Sequence, residues 1–215
     1  MRTPRLLAAF CLPLSLTLIL SSCGDDGWKP LFNGQDLAGW QHVGKGEFTV
    51  EEGALKTHGG MGLLWYGGEE IGNAQIRVVY KASGRGNAGV FIRIPEEPQD
   101  PWYPVHKGYE VQIEDNGDEF HRTGAIYSMS SAETFPPSSD GWNTMEITLD
   151  GQQTIVKVNG KTVNTFDGTQ PVPPREKWYE PQRGPRPDSG YVGLQNHDEE
   201  SVVLYRDVSV RPLRN

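Results

Sequence analysis

One short segment, residues 109–114, alternates apolar side chains with carboxyl and amide groups. Because side chains two residues apart share a sheet face, a strand here would present Glu110, Gln112 and Glu114 together. The Cα atoms of Glu110 and Glu114 would be about 13 Å apart, and curvature of the sheet would bring their side chains closer. Carboxyls that approach each other acquire different pKa values, so that one can act as an acid and the other as a base. This run, which continues into Asp115, is the best acid–base candidate in the sequence.

A second segment, residues 89–94, has Gly, Phe and Arg at its odd positions and Val, Ile and Ile at its even positions. The alternation predicts a strand that buries its even face and presents Arg93 on the other face. Arg near a carboxyl–amide row is more typical of a ligand-binding surface than of a solvated sheet face. We therefore predict that Arg93 and Glu110 face one shared hollow. The alternative is a buried salt-bridged patch of Arg93, Glu110 and Gln112, which would also perturb pKa values.

Histidine is the other residue type that moves protons near neutral pH, and the chain has five histidines scattered along it. His197 directly follows a predicted strand, Tyr191–Asn196, whereas His42 and His58 are expected to be structural. The sequence has no glycine-rich nucleotide loop, Cys-x-x-Cys pair, Gly-x-Ser-x-Gly elbow or His-Glu-x-x-His helix. The Glu-x-Gln-x-Glu-Asp run superficially resembles the Glu-x-Asp-x-Glu signature of laminarinase-type glycosidases, although Gln112 replaces the central Asp. That glycosidase reaction remains an alternative.

A second resemblance to a known family is more extensive, because it covers nearly the whole chain, roughly residues 28–213. The sequence resembles the 3-keto-disaccharide hydrolase domain family in five blocks that occur in the same order: residues 31–40, 86–93, 108–115, 123–127 and 193–197. Many relatives continue the last block as Gln-x-His-Gly, whereas here Asp198 follows His197. The resemblance implies a concanavalin A-like β-sandwich that cleaves sugars already oxidised to a ketone at C3.

The chemistry that this resemblance implies needs a base, a stabiliser of the enolate oxygen and an acid. A C3 ketone acidifies the C2 hydrogen, and the C1 glycosidic oxygen is then a leaving group whose place water takes. We expect Glu110 or His197 to act as base and acid, while Arg93, with Gln112 or a bound cation, holds the oxyanion. Asp115 would orient Arg93 or a metal ion. The candidates for substrate binding, through hydrogen bonds or aromatic stacking, are Asn87, Gln112, Asp115, Gln195, Trp102, Tyr127 and Trp178.

A divalent cation could take part in such a site. Carboxylates and carbonyls suit Ca²⁺ or Mg²⁺, and His with carboxylate suits Mn²⁺ or Zn²⁺, but no ligand spacing selects one of them. A carbohydrate-binding, lectin-like module and a structural lipoprotein without a ligand are the competing functions. The combination of carboxylate, His and Arg favours the enzyme, because a lectin needs chiefly aromatics and neutral hydrogen-bonding groups.

The elements that must position these residues are short strands. About twelve alternating or β-branched segments recur between residues 48 and 211, residues 124–128 among them. They predict an all-β fold, a two-sheet antiparallel sandwich of jelly-roll type. The Asn159-Gly160 pair predicts a hairpin closed by a type I′ turn. Two irregular segments, residues 95–104 and 167–190, hold Trp102 and Trp178 and are expected to form the rim of the site.

Composition agrees with this fold and excludes other classes. The 215 residues include 26 Gly and 16 Pro, which suits turn-rich β structure. A formal charge of −8 excludes a general nucleic-acid binder, because no basic excess is present to contact phosphates. The two Cys exclude a disulfide scaffold, and the length fits one domain. Oligomeric state is left open.

The N-terminus predicts export. Residues 1–22 have a basic start and an apolar run at 6–20 that is shorter than the ~20 residues of a membrane span. Leu20-Ser21-Ser22-Cys23 resembles the lipobox of bacterial lipoproteins, in which the Cys is acylated. We expect a signal peptide over 1–22, a tether over 23–29 and one domain over 30–213. Only the lipid on Cys23 would hold this domain to a membrane of a bacterial cell envelope.

Overall fold

The computed structural model describes residues 27–83, 85–136, 138 and 141–213. The predicted signal peptide, Cys23 and the tether up to residue 26 lie outside the described residues. Within the described part, no helix is both long enough and apolar enough to cross a bilayer.

The described residues form thirteen strands and one short helix. In chain order these are β1 (Lys29–Pro30), β2 (Trp40–Gly44), β3 (Glu47–Glu51), β4 (Ala54–His58), β5 (Gly62–Ile71), β6 (Ala74–Ser83), β7 (Ala88–Ile94), α1 (Trp102–Lys107), β8 (Tyr109–Ile113), β9 (Asn143–Asp150), β10 (Gln153–Val158), β11 (Lys161–Asp167), β12 (Gly190–Asn196) and β13 (Val202–Pro212).

Two antiparallel sheets confirm the predicted sandwich. The larger has the order β11-β10-β9-β6-β13-β4-β3, with β1 paired to β13, and the smaller has the order β2-β5-β12-β7-β8. Aliphatic and aromatic side chains from both sheets, such as Ile76, Tyr80, Val90 and Val111, are fully buried in one core cluster. Because inward side chains alternate with outward ones, the smaller sheet has a second face that can carry a site.

The structure confirms the predicted hairpin turn at Asn159-Gly160 but not the predicted strand at residues 124–128. Asn159 and Gly160 have φ angles of 50° and 80°, as the predicted type I′ turn requires. The predicted strand at 124–128 is wrong, since Gly124 and Ser128 also have positive φ and interrupt the extended backbone. This segment instead follows the edge of β8 through isolated bonds, including that from the N–H of Tyr127 to the carbonyl of Glu110 at 2.9 Å.

A β-bulge in β7 overturns the prediction for Arg93. The pairing with β12 skips one residue of β7 between Phe91 and Ile94. Arg93 has a φ of 53°, and beyond this point the alternation of side chains is reversed. Its buried guanidinium donates to the carbonyl of Pro187 at 2.8 Å and to that of Gly151 in the turn between β9 and β10. The prediction that Arg93 shares a hollow with Glu110 is therefore wrong.

Arg93 should accordingly matter for stability and not for turnover. We expect Arg93→Met to lower the free energy of unfolding by about 3 kcal/mol, because hydrogen bonds from a buried charged group contribute about 1.5–3 kcal/mol each. Urea unfolding measures this loss, and activity per folded molecule should be unchanged. Lost activity at full stability would return Arg93 to the functional site.

Candidate functional site

The outer face of the smaller sheet is divided into an apolar half and an open half. In the apolar half, Trp65, Phe91 and Ile94 pack with Val105 of α1 in a cluster separate from the main core. The open half is a cavity of about 470 Å³, lined by side chains from α1, β8 and β12 and from the segments around them. Helix α1 therefore closes one end of the cavity with apolar side chains, which lowers the polarity around its floor.

Glu110 lies on the floor of this cavity and is only 6% exposed. Its side chain crosses Gly89 on the neighbouring strand, where a Cβ atom would be 2.8 Å from the Glu110 carboxyl carbon. Glycine is therefore needed at position 89 for this carboxyl to occupy its place. The pKa of Glu110 is raised to about 8, chiefly by burial; a hydrogen bond with the side chain of Gln195 opposes the rise, and charge repulsion from Glu114 adds to it. At neutral pH Glu110 thus holds a proton.

This raised pKa links stability to pH. Between about 4.5, the ordinary value, and about 8, the folded protein keeps a proton on Glu110 that the unfolded chain releases. Because the folded state binds more protons there, the free energy of unfolding should fall as pH rises through this window. Urea unfolding at pH 5 and pH 8 should show a larger fall for the native protein than for Glu110→Gln. Equal falls would show that Glu110 is ionised in the folded state.

Beside Glu110, amide and carboxyl groups form a connected row. The Gln112 amide donates to Asn87 Oδ1 at 3.0 Å and to Glu114 Oε2 at 3.4 Å, and the Asn87 amide donates to the same Glu114 oxygen at 3.2 Å. Among the described residues, the buried carbonyl oxygens of Gln112 and Gln195 have no hydrogen-bond partner. Both side chains line the cavity, so an unused hydrogen-bond acceptor is buried beside it at each of these two positions.

Two histidine–aspartate pairs stand on opposite sides of this floor. His197, just after β12, has its Nδ1 atom 2.7 Å from Asp198 Oδ2. His121, beyond β8, has its Nδ1 atom 2.7 Å from Asp118 Oδ1. Both imidazoles line the cavity. Strands β7 and β8 lie between them, which places the two backbones on the order of 14 Å apart.

The rim of the cavity is aromatic. Trp102 of α1 and Tyr179 of the 167–190 segment line it, and Tyr127 forms part of its wall. Trp178 lies outside against Trp102, with ring centroids 5.0 Å apart, and is 67% exposed. Arg186 holds this segment in place by donating to the Gly108 carbonyl at 3.0 Å. The predicted rim is thus built from the two irregular segments.

Most of the predicted site residues converge here. Those that line the cavity are Asn87, Trp102, Glu110, Gln112, Tyr127, Gln195 and His197. Trp178 joins them only through Trp102. Asp115 does not line this cavity. It accepts a hydrogen bond from Thr123 Oγ1 at 2.8 Å and lines a separate cavity. The prediction that Asp115 orients Arg93 is therefore wrong.

Sequence reasoning missed His121, Asp118 and Tyr179, all of which line the cavity. An aspartate three residues before a histidine, close behind the polar strand, was the available signal for the first two. For metal binding, no group of three or more His, Cys, Asp or Glu side chains within the described ranges is arranged to hold an ion.

The model of the 3-keto-alpha-glucoside-1,2-lyase-like domain family matches residues 27–211. The chain belongs to this family. The match confirms the resemblance of the five sequence blocks and supports a carbohydrate-active, hydrolase-like function for this family member. No curated protein matches the chain in sequence.

Solved structures show the same fold. A predicted glycosyl hydrolase from Parabacteroides distasonis has a TM-score of 0.73 at 23% identity, covering 87% of this chain and 94% of its own. A second one from that organism has a TM-score of 0.68 at 25% identity, covering 86% and 99%. The carbohydrate-binding module CBM66 from Bacillus subtilis has a TM-score of 0.56 at 12% identity, covering 80% and 95%. The predicted lectin-like sandwich is thereby confirmed.

Proposed function

We propose that this family member cleaves 3-keto-glycosides, including 3-keto-disaccharides, by elimination and hydration. The observation that carries the proposal is the buried Glu110 carboxyl, which is protonated at neutral pH and lies in one cavity with a carboxylate-bound histidine. An elimination needs an acid that holds a proton and a second group that can accept one in the same site.

The first step removes the C2 proton. Asp198 accepts a hydrogen bond from Nδ1–H of His197, which leaves the Nε2 lone pair to act as the base. The C2–H bond breaks, its proton goes to Nε2, and its electron pair forms the C2=C3 double bond of an enolate. The negative charge then rests on the C3 oxygen.

The second step expels the leaving group. The enolate electrons return to form the C3=O and C1=C2 bonds while the bond between C1 and the glycosidic oxygen breaks. Glu110 gives its proton to that oxygen, so the leaving sugar departs as a neutral alcohol. Water then adds to C1, its proton goes to the Glu110 carboxylate, and His197 returns a proton to C2. Both groups end in their starting protonation states.

The charges in the cavity select the sugar. Glu114 and Asp118 line the cavity, and the described residues that line it include no Lys and no Arg. An anionic ligand would meet uncompensated negative charge. We therefore propose uncharged 3-keto-glycosides as substrates, rather than uronic acids or sugar phosphates.

The test compares a disaccharide before and after oxidation at C3. The 3-keto-disaccharide should release both sugars, whereas the parent disaccharide should stay intact. Release from the parent would indicate direct hydrolysis of the laminarinase type. Binding of either sugar without release would indicate the second candidate function, a carbohydrate-binding module. The exposed pair of Trp102 and Trp178 favours this second candidate, since protein aromatics stack on sugar rings.

The same aromatic pair gives a prediction within the enzymatic proposal. Trp178→Ala should raise KM for a 3-keto-disaccharide by about 3- to 10-fold, because an aromatic stacking contact contributes about 0.5–1.5 kcal/mol. KM for methyl 3-keto-glucoside should stay unchanged, since its leaving group is too small to reach the rim. Steady-state kinetics on the two substrates measure the difference, and equal increases in KM would contradict it.

For the segment before residue 27, we propose export and attachment to a membrane of the cell envelope through a lipid on Cys23. Labelling of cells with a radioactive or clickable fatty acid, with Cys23→Ser as the matched control, tests this attachment. Label that persists in the variant would contradict it.

A further inference from the structure

A side cavity adjoins the main cavity, the one that contains Glu110. Its volume is about 610 Å³, compared with about 470 Å³ for the main cavity. The side cavity is lined by residues 118–122 and Ser128 on one wall and by Pro173, Pro174, Glu176 and Glu180 on the other. Asp118 and His121 line both cavities and form their shared boundary. A ligand that fills the main cavity and extends past this pair therefore enters the side cavity.

The segment of residues 173–180 also borders both cavities. Tyr179 lines the main cavity, and the next residue, Glu180, lines the side cavity. Trp178 of the same segment belongs to the rim at which we place the leaving group. A leaving group of one sugar would end at this rim, whereas a longer one that follows the segment would reach the side cavity.

Arg183 fixes the two walls of the side cavity to each other. Its guanidinium donates to the Ser128 carbonyl at 3.2 Å, on the wall that follows β8. On the other wall it donates to the Pro173 carbonyl at 2.7 Å and to the Glu180 carboxylate at 3.1 Å. The Arg183 side chain is only 18% exposed. The side cavity is therefore built before a ligand arrives, and a preformed cavity loses little conformational entropy on binding.

The lining of the side cavity suits a sugar that carries no negative charge. Phe120 and the two prolines provide apolar surface, against which the C–H face of a sugar ring can pack. The carboxylates of Glu119 and Glu176 can accept hydrogen bonds from sugar hydroxyls. The described residues that line this cavity include four carboxyl side chains, one Arg and no Lys, so an acidic sugar would be repelled.

We propose that the side cavity binds a further sugar unit, the second one of an oligosaccharide leaving group. The proposal rests on the proposed function, because that function places the first leaving-group sugar at the rim. It extends the substrates from 3-keto-disaccharides to longer 3-keto-oligosaccharides whose oxidised sugar is the one that is cut off. Glu176 binds the further sugar, and Arg183 is a positioning residue that holds the cavity in shape.

The test compares KM for a 3-keto-disaccharide with KM for a 3-keto-trisaccharide whose leaving group is a disaccharide. In the native protein KM for the trisaccharide should be about 10-fold lower, as one hydrogen bond to a charged group would give. Glu176→Ala should remove most of this difference, and its exposed position makes a folding defect unexpected. Arg183→Lys should reduce the difference as well, because Lys lacks the planar fork that reaches both walls.

Two matched controls should keep the full difference in KM. Glu146→Ala removes a glutamate from β9 of the other sheet. Arg93→Met removes another guanidinium that donates to backbone carbonyls, but at a distance from the side cavity. A difference that disappears in Arg93→Met as well as in Arg183→Lys would reflect a general loosening of the fold and would overturn the role of Arg183.

The remaining outcomes separate this inference from the proposed function. Equal KM values in the native protein, or a difference that persists in Glu176→Ala and Arg183→Lys, would overturn the side cavity as a sugar site while elimination stands. If neither 3-keto sugar is cleaved, the proposed function itself fails, and calorimetry with the unoxidised disaccharide and trisaccharide decides on the side cavity. Tighter binding of the trisaccharide that Glu176→Ala removes would support the site, and equal binding of the two sugars would overturn it.

Discussion

Glu110→Gln should slow the release of a sugar leaving group from a 3-keto-disaccharide by about 10³-fold, within the usual range for a general acid. Glutamine keeps the size and the hydrogen-bonding capacity of the side chain above Gly89, but it cannot give a proton to the departing oxygen. The variant should bind substrate normally. Rates of release, measured for the native protein and the variant at saturating substrate, give the effect.

The control for Glu110→Gln changes the leaving group instead of the protein. 4-Nitrophenolate departs without a proton, so a 4-nitrophenyl 3-keto-glucoside should recover most of the lost rate. The native rate with a sugar leaving group should also fall as pH rises through about 8, where Glu110 loses its proton, and the variant should lack this fall. A loss that is equal for both leaving groups would show that Glu110 does not act as the acid.

His197→Ala has the second large effect that we expect. It should slow both deuterium exchange at C2 and leaving-group release by about 10²- to 10⁴-fold, because proton removal precedes both events. Glu110→Gln, in contrast, should spare the exchange. NMR of the C2 position in D₂O, run alongside an assay of the released sugar, measures both rates.

Asp198→Asn provides a graded control for the base. The amide keeps the size of the side chain but no longer favours the tautomer with Nδ1–H, so we expect a smaller loss than in His197→Ala. If His197→Ala retains near-native exchange, the base lies elsewhere in the cavity. The family pattern that the fifth sequence block resembles has Gly after the histidine. In this chain Asp198 stands at that position, and its carboxylate orients the His197 imidazole.

The polar row of β8 was predictable because that strand is regular. Glu110, Gln112 and Glu114 share a face as the two-residue alternation requires, and β7 obeys the same alternation as far as Phe91. Arg93 escaped prediction because a positive φ at a non-glycine residue has no signal in composition or spacing. A single inserted residue in the pairing then moved the guanidinium to the other side of the sheet.

The residues of the walls were harder to predict than those of the floor. His121 lies in an irregular segment, and its distance along the chain from Glu110 does not reveal that the segment turns back along the edge of β8. Helix α1 was missed because it has six residues and contains Pro104, which gives no helical periodicity. The aromatic rim was found because long irregular segments with exposed tryptophans are uncommon in a compact sandwich.

The central claim is that cleavage begins with removal of the C2 proton of a 3-keto sugar by groups on the outer face of the smaller sheet. The most direct test follows the cleavage of a 3-keto-disaccharide in D₂O by NMR. We predict that the released 3-keto sugar carries deuterium at C2 and that the unoxidised parent disaccharide, incubated in parallel, carries none. Release of a 3-keto sugar that retains its original hydrogen at C2 would contradict elimination and would leave direct hydrolysis as the reaction.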